Sequence, residues 1–443
     1  MIASAPARAA PRPVGRISAE RLRRLLLWLT GASGAIVFVE PSPYEAVSFL
    51  TLVVFLFGGL TLSPALMPLG FLLILINIGY SISASGLLGD AKVAMWVVTS
   101  WYLAATAVFF AAALGSNTEA RLEALARGCI FAGVIASLAA IVGYMRLVPS
   151  AGDLFLLYER ARGTFKDPNV LGAFLILPAL LSLQRVVRGR LRQAFGGTAL
   201  LGLFAAAVLL SFSRAAWGQF VLTSVVVLML GLVTTRSPAL RVRIVLMSIA
   251  GLVVLALLLS ALLSIDAVAQ LFRERAELEQ SYDVGSQGRF ARHILGAVFA
   301  LDLPLGIGPL QFTNYFPEDP HNTYLNAFMS GGWLAGGCYF ALAVLTLAFG
   351  LRAVFVATPW RHTRIAVYAA YVGVAAESAV IDSDHWRHAY LLLGVLWGLI
   401  AATQSQAVRA RAAAARHGAG FAPPQPLSAR PARPALARWG RPA

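Results

Sequence analysis

Arg214 stands inside an otherwise apolar run, LLSFSRAAWGQFVL at 209–222. A guanidinium at the centre of a membrane helix costs about 3 kcal/mol on insertion scales. The chain is therefore expected to turn at 212–215 and bring Arg214 to a membrane surface. Comparable groups recur elsewhere. RARGTFKDPN at 160–169 carries Arg160, Arg162 and Lys166; GRFARHILG at 288–296 carries Arg289, Arg292 and His293; EDPHNTYLN at 318–326 carries His321 and Asn322. Glu377 is expected about one turn inside a span, followed by Asp382, Asp384 and His385. Guanidinium forks bind phosphate oxygens in pairs, and an imidazole titrating near neutrality can accept a proton from a hydroxyl. Together these groups suit the handling of an anionic, phosphorylated substrate beside a membrane.

The elements that would position them are membrane helices. The chain has 443 residues, 58% hydrophobic and 13% charged, with mean hydropathy +0.73. A soluble domain of this length needs far more polar surface. Apolar runs of about 20 residues, enough for one span, recur from 25 to 402. They predict an all-α polytopic membrane protein with about twelve spans, at 25–39, 45–60, 66–86, 93–114, 127–146, 169–184, 198–212, 215–234, 244–264, 322–351, 364–381 and 387–404. The expected organisation is a basic N-terminus at 1–24, helices at 25–264, a large loop with short amphipathic helices at 265–321, helices at 322–404, and a disordered basic tail at 405–443. The first span reads as uncleaved, because VFVEPSP offers no small-x-small site.

Net charge is +16, and the membrane explains it better than nucleic acid does. Arg185, Arg188, Arg190 and Arg192, then Arg236, Arg241 and Arg243, then Arg352, Arg361 and Arg364, all fall in alternate connections on the side of the basic N-terminus. The positive-inside rule makes that side cytoplasmic. Both termini are expected there, in a bacterial inner membrane, with 147–168, the Ser213–Arg214 turn, 265–321 and 382–388 facing the periplasm.

Each polar group also has a simpler reading. Arg214 can snorkel from a helix end, Arg289 and Arg292 can anchor in lipid headgroups, Asn169 can cap the helix after Pro168, His321 can pack or cap, and Glu377 can neutralise an arginine. Gly332 and Gly336, four apart, allow close helix packing. Cys129 and Cys338 read as small core residues, with no disulfide framework or metal motif.

Taken together, RARGTFKDPNVLGAFL, SFSRAAW, GRFARHILGAVFALDLPLGIGPLQF and PHNTYLNAFMSGGWLAGG resemble, in order over about 162–336, the O-antigen ligase and polymerase superfamily of bacterial inner-membrane glycosyltransferases. The resemblance implies transfer of a glycan from an undecaprenyl diphosphate carrier to an acceptor hydroxyl, on the lipid A core or a growing glycan, in lipopolysaccharide or surface polysaccharide assembly. It implies that Arg214 and Arg289 hold the diphosphate and that His321 is the base. Arg160, Arg162, Lys166, Arg292, Asn322 and Glu377 are then expected to bind substrate. No cofactor, metal or nucleic acid is expected, and membrane lipid is. A ligase and a repeat-unit polymerase for O-antigen or exopolysaccharide share these motifs. A secondary transporter is the rival of another class, although transporters gather polar groups near the midplane and show repeats.

Overall fold

The computed structural model describes residues 18–39, 41–276 and 288–419. The chain runs through α1 (Ala19–Ser33), α2 (Pro43–Phe57), α3 (Met67–Ser83), α4 (Ala91–Ala113), α5 (Thr118–Tyr144) and α6 (Ala151–Phe155). A two-residue hairpin follows, β1 (Leu156–Leu157) and β2 (Arg160–Ala161), then α7 (Pro168–Arg188), α8 (Leu191–Leu210), α9 (Arg214–Thr234) and α10 (Pro238–Leu263). The last helices are α11 (Asp266–Ala276), α12 (Arg289–Leu301), α13 (Thr323–Val354), α14 (Arg361–Glu377) and α15 (Arg387–Ala419). The protein is all-α and polytopic. Among the described residues nine helices are long and apolar enough to cross a membrane. The other three expected spans are the shorter helices α1, α2 and α14.

Several boundaries differ from the sequence expectation. The first helix starts at Ala19, inside the segment assigned to a basic N-terminus, because Ser18 caps it by accepting from the Arg21 N–H. The last helix continues past Gln404 to Ala419, where disorder was expected; an Ala- and Arg-rich sequence has high helix propensity. The remaining tail, 420–443, and the N-terminal residues before Ser18 lie outside the described residues. The eleventh expected span, α14, ends at Glu377, four residues before the expected 381. The turn in the 198–233 run falls where Arg214 required it: α8 stops at Leu210 and Arg214 opens α9.

Small residues let the helices approach. A Cβ on Gly128 would meet the Trp28 carbonyl at 2.2 Å, so α1 and α5 touch backbone to backbone. The α3–α13 contact uses Gly79 against Gly331, where an added Cβ would lie 2.8 Å from the Gly331 carbonyl. The expected Gly332–Gly336 pair does something else. Gly332 breaks α13 with φ 67° and ψ −165°, and a Cβ there would lie 2.2 Å from the Pro304 carbonyl. The 303–308 loop fits against this break, with Trp333 N–H donating to Pro304 and Ile307 N–H to Met329. Gly336 makes room for the Phe328 ring. A left-handed φ and a backbone contact at one position leave glycine as the residue that fits.

One buried charge is compensated by a carboxylate within the fold. Arg121 is 3% exposed and donates to both Glu20 oxygens, at 2.9 and 2.7 Å, and to the Ala113 carbonyl at 2.7 Å. Cys129 is buried and Cys338 half-buried, both as free thiols.

Candidate functional site

The Arg214 end of α9, the Thr323 end of α13 and the Glu377 end of α14 lie at one face of the helix layer. α9 and α14 pack side by side in opposite directions: a Cβ on Gly373 would touch Thr223 and Gln219. Arg214 at the start of α9 and Glu377 at the end of α14 therefore point to the same face. The start of α13 joins them, because Thr323 N–H donates to the Ser378 carbonyl at 2.7 Å.

His321 precedes α13 in a left-handed backbone conformation, φ 48°. A non-glycine residue there persists only when its surroundings hold it. Asp382 does so. Its Oδ2 accepts from the His321 backbone N–H at 3.1 Å and its Oδ1 from the Asn322 N–H at 3.1 Å. The same Oδ2 stands 3.3 Å from His321 Nδ1. A proton on Nδ1 directed at that carboxylate would leave the opposite ring nitrogen, Nε2, with its lone pair. A clasp beside it fixes the register. Ser383 N–H donates to Thr323 Oγ1 at 2.8 Å, Thr323 Oγ1 donates to the Ile381 carbonyl, and the Ser378 and Ser383 hydroxyls meet at 2.6 Å. One turn on, Asn326 Nδ2 lies 3.3 Å from Asp384 Oδ2, which also meets His385 Nδ1 at 2.9 Å.

The amphipathic helix α12 faces this clasp. Arg289 is its first residue. Phe290, Ile294, Val298 and Leu301 form one exposed apolar stripe, as in a helix lying in the membrane interface. Gly296 and Ala300 are buried, Gly296 close beside Phe312 and Leu325. His293 Nε2 lies 2.8 Å from the Pro320 carbonyl, one residue before His321. Burial holds the His293 imidazole below its usual range, and Arg289 and His321 push the same way. Asp319 is raised by burial and by the Asp382 carboxylate. His293 is thus within electrostatic reach of Arg289, His321 and Asp382, and Asp319 of His321 and Asp382.

A second group surrounds Arg214. Phe212, in the turn before it, also has a left-handed φ of 47°, and Ser213 caps α9 by accepting from Ala216 N–H. Arg160 Nε donates to the Ser211 carbonyl at 2.9 Å and Nη2 to Asn169 Oδ1 at 2.8 Å. Arg160 therefore ties the hairpin to the α8–α9 turn. The hairpin was not expected: Tyr158 and Glu159 both take positive φ, a primed turn without the usual Asn or Gly.

The other expected site residues divide. Arg292 is buried in an ion pair with Glu318 at 2.7 Å, so it anchors α12 to the 318–320 segment. Asn322 caps α13, accepting from Leu325 N–H at 3.0 Å. Asn169 does not cap α7; Asp167 does, accepting from Asn169 N–H at 2.7 Å. Arg162 makes two long contacts with the Leu154 and Asp153 carbonyls, at 3.3 and 3.4 Å. Lys166 is exposed and lines an apolar cavity of about 210 Å³ with Phe165, Phe174, Leu177, His385 and His388. Glu377 is 4% exposed. Neither of its oxygens has a hydrogen-bond partner, and it forms no ion pair among the described residues, so it does not neutralise an arginine. Among the described residues no group of three or more His, Cys, Asp and Glu is placed to hold a metal ion.

Asp382 is the residue whose role sequence reasoning missed. DSDH at 382–385 announces carboxylates near the membrane surface, but pairing with His321 spans 61 positions. Asp382→Ala is expected to leave the His321 and Asn322 N–H groups without their acceptor and to cost about 1–3 kcal/mol of stability. Asp382→Asn, which keeps one acceptor oxygen for these two N–H groups, should recover part of the loss. Thermal unfolding of the two variants checks this.

A membrane-embedded helical scaffold with cationic groups and a carboxylate-held imidazole at one face defines a class: a polytopic membrane protein with a polar site at the bilayer surface. Residues 199–340 match the family model described as O-antigen ligase. The match contains Arg214, Arg289 and His321 and supports the O-antigen ligase superfamily. No curated protein matches the chain.

Proposed function

We propose that the protein is an O-antigen ligase-like glycosyltransferase of surface polysaccharide assembly, moving a glycan from undecaprenyl diphosphate to an acceptor hydroxyl on the lipid A core. The observation that carries this reading is the carboxylate-held His321 beside the Arg289 end of α12: His321 and Arg289 lie inside the stretch that matches the family, and Asp382, from beyond it, stands against His321. Arg289 and Arg214 take the diphosphate, whose charge grows as the anomeric carbon–oxygen bond breaks. Fixed guanidinium groups beside a low-dielectric membrane stabilise that charge, so the transfer is metal-independent. His321 Nε2 takes the acceptor hydroxyl proton as the oxygen attacks, and Asp382 stabilises the imidazolium. Attack opposite the leaving diphosphate inverts the sugar carbon.

Lys166 at the apolar cavity, Arg162 and Glu377 complete the substrate surface; Arg160, Arg292 and Asn322 position it. The positive-inside rule applied to the basic connections supports an orientation with both termini in the cytoplasm of a bacterial inner membrane and the site at the periplasmic face. A repeat-unit polymerase would use the same groups with a growing glycan as acceptor. Mass analysis of carrier-linked glycans in a deletion strain separates the two. A ligase loss accumulates long carrier-linked chains, and a polymerase loss accumulates single repeat units. An unchanged carrier pool would overturn both.

A further inference from the structure

At the opposite end of α14 from Glu377, three basic residues crowd the first helical turn: Arg361, His362 and Arg364. A helix N-terminus carries a partial positive charge, so cations there are disfavoured by about 0.3–1 kcal/mol each. Nothing offsets them locally. Trp360 at the N-cap position makes no side-chain cap, and the turn contains no acidic residue. Arg188, at the end of α7, lies within electrostatic reach of Arg361 and His362. The nearest carboxylate acting on His362 is Glu119, which is exposed and forms no ion pair with any of these cations.

Arg364 is the telling residue. Sequence placed it in a solvated basic loop, yet it is 0% exposed. Its guanidinium folds back under the 356–360 turn, donating to the Val356 carbonyl at 2.6 Å and to Thr403 Oγ1. Both acceptors are neutral. Arg121, equally buried at the same face, has the bidentate Glu20 carboxylate; Arg364 has no carboxylate among the described residues. A buried charge left without a counter-charge is strongly destabilising. Three buried donors of this one turn also lack partners: Arg364 Nε, Trp360 Nε1 and Thr358 Oγ1. Buried polar atoms of native proteins are nearly always satisfied. A cluster of unmet donors, all N–H or O–H, around an uncompensated cation calls for an acceptor-only anion.

We propose that the turn at 356–364, with Arg361, Arg364 and Arg188, is a phosphate-binding site at the membrane face opposite the candidate glycosyl-transfer site. A phosphoryl group supplies several acceptor oxygens and negative charge, matching helix N-terminal amides and guanidinium forks. Phe355 and Val356, both exposed, flank the turn with apolar surface, so the phosphodiester of an anionic lipid meets this chemistry with its chains against the helices. Free phosphate offers the same oxygens without the chains.

The test uses the purified full chain in neutral phosphatidylcholine nanodiscs, with thermal unfolding and native mass spectrometry as readouts. Added phosphatidylglycerol is expected to raise the melting temperature and to remain bound, while more phosphatidylcholine does neither. Arg361→Gln, at a half-buried position, should weaken phosphatidylglycerol binding about tenfold, the loss of one charge-assisted bond. Arg364→Lys should weaken it similarly, with Arg361→Gln as the control should the buried variant not fold. Stabilisation by millimolar inorganic phosphate equal to that by phosphatidylglycerol assigns the site to free phosphate; a larger lipid effect assigns it to a headgroup. Equal stabilisation by neutral and anionic lipid with no effect of inorganic phosphate, or unchanged binding in Arg361→Gln, overturns the proposal.

Discussion

His321→Ala is expected to lower glycan transfer about 10²–10⁴-fold, the usual contribution of a positioned general base, while the protein still inserts and folds. The residue lies outside the helical core. It is only partly buried, with a side chain 38% exposed, and the helix it precedes is capped by Asn322 and held by Asp382 through backbone N–H groups. Removing the imidazole leaves the backbone N–H bonds of residues 321 and 322 to Asp382 and the Asn322 cap in place. Only the Nδ1–Asp382 contact is lost, and alanine bears the same positive φ as histidine, so at most a small fall in melting temperature accompanies the loss of activity. His321→Gln separates the effects: its amide can fill the space but cannot take the proton. In vitro transfer from a carrier-linked glycan, measured beside thermal unfolding, checks the result. Wild-type rates in both variants would remove His321 from the mechanism.

Arg289→Ala and Arg214→Ala are each expected to cost about 10²–10³-fold, the scale of losing one fixed donor to a developing oxyanion. Under the proposed mechanism the loss should fall mainly on turnover, because charge on a diphosphate leaving group is greater in the transition state than in the bound donor. Lysine at either position should recover only part of it, since an ammonium cannot offer a planar fork. Arg292→Ala provides the contrast. Arg292 is buried with Glu318, so its loss leaves that carboxylate unpaired and loosens α12. Its variant should lose stability first, and a charge-conserving change should restore it. Donor turnover and melting temperature measured on all three variants distinguish the roles. Equal stability losses with equal activity losses would argue that all three arginines are structural.

How much of this was legible in the residues alone varies by element. The spans were legible because a bilayer demands about 20 apolar residues in a row and forbids unpaired backbone; that requirement is local and leaves its mark on composition. The turn before Arg214 was legible for the same reason, since a charge in the middle of a hydrophobic run must reach a surface. The amphipathic helix carrying Arg289 announced itself by period. Gly332 was misread. Its spacing to Gly336 suggests helix packing, whereas its work is to break α13 beneath the 303–308 loop, a partner that precedes it by about two dozen positions. Likewise Arg364 reads as one more loop cation until its helix is seen to bury it.

What the sequence alone determined is the class: an all-helical membrane protein whose cations, imidazoles and carboxylates gather at helix ends. Tertiary structure decided which of them meet. It gave Arg292 to Glu318, Arg160 to the Ser211 carbonyl and Asn169, and His321 to Asp382. Hydrophobic burial is read from neighbours along the chain and survives as a pattern. A hydrogen bond between residues 61 positions apart depends on the angle and register of three packed helices, which no local pattern encodes.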